Sequence, residues 1–211
     1  MSDPNKLIVV DTNCLVRIYF SDLRPILGKP VSGYTLKTLS GLAQELKNLA
    51  SRRDDLYWLT SPIIQTEVEA AAIKLTRSQT KAVEDGALGI QKLGNGELLR
   101  YCQSKEIKTR ALHRNDAKSL SAALELGAAL ATDEWPLRYV ADLYEADDEG
   151  NPLQLFSSVE LIELLEREGQ ITRAERIKIY ADWLRNGESL LRETPEIYMR
   201  LFNEMAPTAQ G

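Results

Sequence analysis

The chain is poor in the residues that build most soft-metal and disulfide sites. It has one histidine, His113, and two cysteines, Cys14 and Cys102, among 211 residues. That excludes a histidine-rich metal centre and leaves too few thiols for a disulfide framework or a zinc site. A Ser-His-Asp triad would have to use His113. Any metal held here must therefore be bound through oxygen, which points to Mg²⁺ or Mn²⁺. Long apolar runs are also missing: none approaches the ~18 residues that cross a bilayer. The start "MSDPNK" has no signal-like apolar core, so the expectation is a cytoplasmic protein with no membrane partner. Nor is there an excess of positive charge. A net charge of −5 gives no global pull on nucleic acid, although local basic patches and bound cations can reverse the sign where it matters.

What is present begins with "KLIVVDTNCLVRIY" at residues 6–19. Five strand-forming residues run straight into Asp11-Thr12-Asn13, and helical spacing follows over 12–20. "DLRPILGKPVSGYT" reads as a loop, Leu36 to Ala50 as a helix, and "LYWLT" (56–60) as a strand. Ser61-Pro62 predicts a helix start, with the helix running to about Leu75. Residues 77–110 read as mostly helical with a break near "LGNGE"; Asn115-Asp116 opens another helix that Gly127 stops. "AALAT" (128–132) is a second apolar strand meeting an acid, Asp133, and "LQLF" (153–156) a last one. Ser157 with Glu160 and Thr172 with Glu175 fit capping boxes, and Thr194-Pro195 opens a final helix.

Strands alternating with helices imply an α/β fold with a mainly parallel sheet. Residues 1–156 form the expected α/β domain. Residues 157–211 form a C-terminal helical extension, packed on that domain or used for partner contact.

Ligands of such sheets bind beyond the carboxyl ends of the strands, where Asp11 and Asp133 both belong. Each alone could be a helix cap. At about 100° per residue, Glu67 falls in the arc of Ile63, Ile64, Val68, Ala71 and Leu75, so it is expected on a core-facing side, costly unless paired. A buried salt bridge is the plainer explanation. Asp116 starts its helix, where a cap and a ligand role are compatible. Two carboxylates at ~4 Å repel by about 4 kcal/mol at an effective dielectric of about 20. If these acids converge, protons or hard cations must relieve that repulsion.

The Asp11-Thr12-Asn13 start, the glutamate of "SPIIQTEVEAA" and the block "NDAKSLSAALELGAALATDEWPLRYVA" together resemble the PIN-domain nucleases, including VapC-type toxins. The resemblance covers 7 to about 75 in patches and 115 to 141 closely. It implies a Rossmann-like three-layer α/β/α sandwich and a ribonuclease dependent on Mg²⁺ or Mn²⁺. By position, Asp11, Glu67, Asp116 and Asp133 would be the acidic quartet. Family members commonly carry Thr-x-Asp after the fourth strand, so Glu134 competes with Asp133 for the last place. Thr12, Asn13 and Thr132 would support the acids. The interval from Asp11 to Glu67 is longer than is usual for compact toxins, and the tail from 157 exceeds the minimal domain.

The expected reaction is phosphodiester hydrolysis of RNA. Lys108, Arg110 and Arg114 are candidate RNA contacts from the run "KEIKTRALHRND". An antitoxin protein and a second copy of the chain are the further partners that the resemblance raises. Two rivals stand beside it. A haloacid-dehalogenase-like phosphatase wants a second aspartate at position 13, which here is Asn13. A catalytically silent PIN fold would bind RNA or protein without cutting.

Overall fold

A computed structural model describes residues 6–31, 33–144 and 150–209 of the protein. The start of the chain at 1–5, where the lack of a signal-like core was read, lies outside the described residues. Five strands, β1 (Lys6–Val10), β2 (Pro30–Val31), β3 (Tyr34–Lys37), β4 (Ala129–Ala131) and β5 (Leu155–Phe156), form one sheet in the order β2-β3-β1-β4-β5. β1 pairs in parallel with both β3 and β4, and β4 in parallel with β5; only the β2–β3 hairpin is antiparallel. The carboxyl ends of β1, β3, β4 and β5 therefore share one edge of the sheet.

The apolar pattern of the strands explains why both faces are covered. Successive side chains in a strand point to opposite faces. Accordingly Ile8, Val10, Ala129 and Ala131 enter one hydrophobic cluster, while Val9 and Leu130 enter the other. The first cluster takes Cys14, Leu15 and Ile18 from α1 (Thr12–Tyr19) and Leu42 and Leu46 from α2 (Leu42–Ala50). It ends against Ile64 and Val68 of α3 (Pro62–Ala70). The second is built by α4 (Arg77–Ser104), α5 (Arg114–Glu125) and α6 (Trp135–Ala141) through Ile90, Leu98, Leu120, Leu137 and Val140. Full burial of each such side chain contributes about 1.5–3 kcal/mol.

The remaining helices are α7 (Ser158–Arg167), α8 (Arg173–Arg185) and α9 (Thr194–Phe202). The two expected capping boxes open α7 and α8: Ser157 and Thr172 accept the backbone N–H of Glu160 and Glu175, whose carboxylates reach back. Val159, Ile162, Ile179 and Trp183 share the cluster of Ile8 and Val10, and the Trp183 indole donates to the Arg17 carbonyl at 2.9 Å. Among the described residues, no helix is long and apolar enough to cross a membrane.

Four local readings need correction. The stretch expected as a loop over 22–35 contains a 3-10 turn at Arg24–Ile26, the strand β2 and the start of β3. Leu36 does not begin a helix: it lies in β3 opposite Ile8, and Gly41 at φ +96° separates that strand from α2. Leu36, Leu39, Leu42 and Leu46 mimic helical spacing across the break. "LYWLT" is part of a 3-10 helix, Asp54–Thr60, not a strand. Its buried residues are Leu56 and Leu59, three apart, which suits a three-residue turn rather than a period of two. Finally, α4 runs unbroken through "LGNGE". A Cβ on Gly94 would stand 2.9 Å from a Val140 methyl, so this glycine lets α4 and α6 pack closely rather than ending the helix.

Candidate functional site

The edge at the strand ends carries the chemistry. Asp11 follows the last residue of β1 and is 3% exposed. Its N–H donates to the Ala131 carbonyl at 3.0 Å, extending the β1–β4 pairing by one residue. The chain leaving β4 supplies Thr132, which is fully buried and ties two acids together. Its hydroxyl donates to Asp11 Oδ2 at 3.1 Å and accepts the Glu134 N–H at 3.1 Å. Asn13, in the first turn of α1, donates its amide to Glu134 Oε1 at 2.5 Å. Asp116 sits in the first turn of α5, where its carboxylate accepts the His113 N–H at 3.0 Å. It thus caps its helix and faces the same cleft.

That cleft has a volume of about 440 Å³ and is lined by Asp11, Asn13, Glu45, Asp116 and Glu134, with Thr12, Asn48, Leu49, Arg52, His113, Arg114 and Asn115. A slightly larger hollow of about 470 Å³ beside α4 is mostly apolar, with Glu125 as its one carboxylate. Convergent polar groups, not size, single out the first. Burial pushes the Asp11 carboxyl up to about 8, with the charges of Asp116, Glu134 and Glu45 adding to it. Burial likewise raises Asp116 to about 6, aided by Glu134 and Glu45. Among the described residues none of these four carboxylates has a lysine or arginine within 4.0 Å.

The structure brings together Asp11, Thr12, Asn13, Asp116 and Glu134, with Thr132 behind them, and leaves two expected acids apart. Asp133 turns away from the cleft. It pairs with Arg17 and accepts the backbone N–H (3.1 Å) and the hydroxyl of Ser158. Glu134, not Asp133, is the acid beside Asp11.

Glu67 is not core-facing: its side chain is 40% exposed and forms a two-pronged pair with Arg24 at 2.6 Å, with the Tyr19 hydroxyl at 3.2 Å. The Arg24 hydrogen bonds hold its carboxyl below the usual range. The buried side of α3 is Ile64, Gln65 and Val68, while Ile63 is 65% exposed, so Glu67 lies on the flank of that arc. Of the expected RNA contacts, Arg114 lines the cleft, but its guanidinium holds the Glu84 carbonyl (3.1 Å) and carboxylate (2.8 Å). Lys108 and Arg110 are exposed on the segment before α5 and do not line the cleft.

Glu45 is the cleft acid that sequence reasoning missed. It lies in the first turn of α2, the helix that follows the parallel strand β3. The signal is the one that marks Asp116, an acid in the first turn of a helix, and it is hidden because Leu36 to Ala50 reads as a single helix.

As placed, no group of three or more His, Cys, Asp or Glu side chains among the described residues forms a ready-made metal cage. The donor set nonetheless suits a hard cation: all oxygen, mutually repelling, and with no lysine or arginine within 4.0 Å of the acids. Comparisons with protein-family models, with curated proteins and with solved structures give no match for this chain.

Proposed function

We propose that the chain is a divalent-cation-dependent phosphodiesterase. More particularly, we read it as an endoribonuclease of the PIN-domain type, hydrolysing RNA to a 5′ phosphate and a 3′ hydroxyl. The carrying observation is the cleft lined by Asp11, Glu45, Asp116 and Glu134, none of them salt-bridged among the described residues, while Asp133 and Glu67 each have an arginine. Its strand and helix contexts for Asp11, Asp116 and Glu134 agree with the likeness in sequence to the PIN nucleases.

Asp11, Asp116 and Glu134, with Glu45 opposite, would hold Mg²⁺ or Mn²⁺, which supplies an acidified water and charge neutralisation at the phosphate. The chain's own part is to keep these oxygens aimed. Thr132 fixes Asp11 and the backbone before Glu134, and Asn13 fixes the Glu134 carboxylate. Water adds to phosphorus, the P–O3′ bond breaks, and the leaving oxygen ends as a hydroxyl. Asn13 weighs against the phosphatase reading: it stands where that chemistry wants a second aspartate, and its amide is spent on Glu134.

The test is cleavage of single-stranded RNA by the purified chain with Mn²⁺ or Mg²⁺. Chelation should abolish it. Asp11→Asn and Asp116→Asn should each lower the rate at least about a hundredfold, the scale of losing a transition-state charge stabiliser, with unchanged circular dichroism. Full activity in either variant rejects the assignment. RNA binding without cutting would make the protein the silent module instead.

A further inference from the structure

The nuclease reading concerns the acidic floor of the cleft; its outer end has the opposite charge. Glu45, Asn48 and Leu49 recur at helical spacing along the wall that α2 presents to the cleft. Arg52 continues the row just past the helix end, where its N–H bonds the Leu49 carbonyl at 3.0 Å. Seven residues of helical rise separate Glu45 from Arg52 by about 10 Å. One wall thus runs from an acid beside the reaction centre to a guanidinium at the rim.

Three observations set Arg52 apart from the other arginines nearby. Arg53, its neighbour, is engaged by Asp55 at 2.6 Å and Glu188 at 3.5 Å. Arg114, across the cleft, is engaged by Glu84. Arg52 is exposed and has no carboxylate partner among the described residues, although four carboxylates line the same cleft. A guanidinium cannot ligate a metal, and its forked donors match the oxygens of a phosphodiester.

We infer that Arg52 is a substrate-positioning residue that grips an RNA backbone phosphate next to the scissile one, so that the strand tracks along α2. This rests on the nuclease reading for the direction of the strand, but the contact itself is a binding event and is tested as one. Phosphates at the floor need a diffusible cation, whereas a phosphate at the rim meets a cation built into the chain. Lys47 is the matched control: it is exposed on α2, carries the same charge and does not line the cleft.

The experiment measures fluorescence anisotropy of a short, 5′-fluorescein-labelled single-stranded RNA with the full chain carrying Asp116→Asn, Mg²⁺ present. Arg52→Ala should weaken binding about tenfold, the size of one charge-assisted contact. It should also flatten the slope of log affinity against log salt by about 0.7, one phosphate on a single strand. Arg52→Lys should restore the slope and part of the affinity, and Lys47→Ala should leave both unchanged. Equal affinity for the Arg52→Ala and Lys47→Ala proteins, or no RNA binding at all at low salt, overturns the inference. Cleavage by the chain without Asp116→Asn reads separately. Cutting that Arg52→Ala does not impair keeps the nuclease reading and removes the clamp. Binding through Arg52 with no cutting does the reverse.

Discussion

Two groups of carboxylates lie back to back beyond the ends of β1 and β4, divided by the peptide between Asp133 and Glu134. Behind the cleft, Asp133 and Glu188 enclose Arg17, and all three side chains are at most 5% exposed. Arg17 also donates to the Ser189 carbonyl at 2.7 Å, which ties the segment after α8 to α1. In front, Asp11, Glu45, Asp116 and Glu134 line one cleft, and among the described residues none has an arginine or lysine within 4.0 Å. The Asp11 residue is 3% exposed and the Asp133 side chain 4%, so burial of the carboxylate does not tell the two groups apart. The presence of a cation within the fold does. Where the chain supplies its own positive charge, the acids hold the structure together. Where it does not, the charge must come from a proton or from solution.

The largest effect is expected at Arg17. Arg17→Met would leave Asp133 buried with no cation and Glu188 with Arg53 alone at 3.5 Å, a loss of about 3–5 kcal/mol that should lower the melting temperature by roughly 10 °C. Urea unfolding of the variant measures it directly. An unchanged midpoint would mean that the rear group needs no cation either.

The cleft predicts the opposite sign. Asp11 holds its proton in the folded chain to about pH 8, against an ordinary value near 3.8. Ionisation therefore favours the unfolded chain, and stability of the metal-free protein should fall as pH rises from about 4 to 8. Its melting temperature should drop by several degrees between pH 5 and pH 8. Asp11→Asn should flatten that fall and raise stability at pH 8. A metal-free protein more stable at pH 8 than at pH 5 would contradict the picture of unrelieved repulsion.

The smallest effect is expected at Glu67. It sits on the surface with Arg24, so Glu67→Gln should change stability by no more than about 1 kcal/mol and RNA cleavage by less than about twofold. A loss of activity comparable with Asp11→Asn would restore Glu67 to the catalytic set and displace Glu45.

The elements easiest to read from the sequence were those whose local signals agreed with their tertiary role. Val9 and Leu130 alternate in face with their neighbours inside short β-branched or apolar runs, and capping residues marked α7 and α8 without ambiguity. Asp11 and Asp116 were legible because each stands at a boundary that its own neighbours define. The sequence puts Asp133 in the quartet with Glu134 as its competitor, because which of two adjacent acids faces the cleft depends on Arg17 and Ser158, far away in the chain. Glu67 was misassigned by treating Ile63 as buried, and on a short helix one misplaced residue rotates the inferred face. Glu45 stayed hidden because β3 is four residues long and its leucines continue in phase with the helix after it.

The front group of acids is expected to bind a divalent ion that the rear group does not need. That binding is tested most directly by melting the purified chain at pH 8 with and without saturating Mn²⁺. Binding at about a hundred times Kd adds about 2.7 kcal/mol, so the melting temperature should rise by roughly 5–10 °C. The rise should vanish in Asp11→Asn and persist in Glu67→Gln. Identical melting with and without Mn²⁺, or an equal rise in Asp11→Asn, would contradict the account.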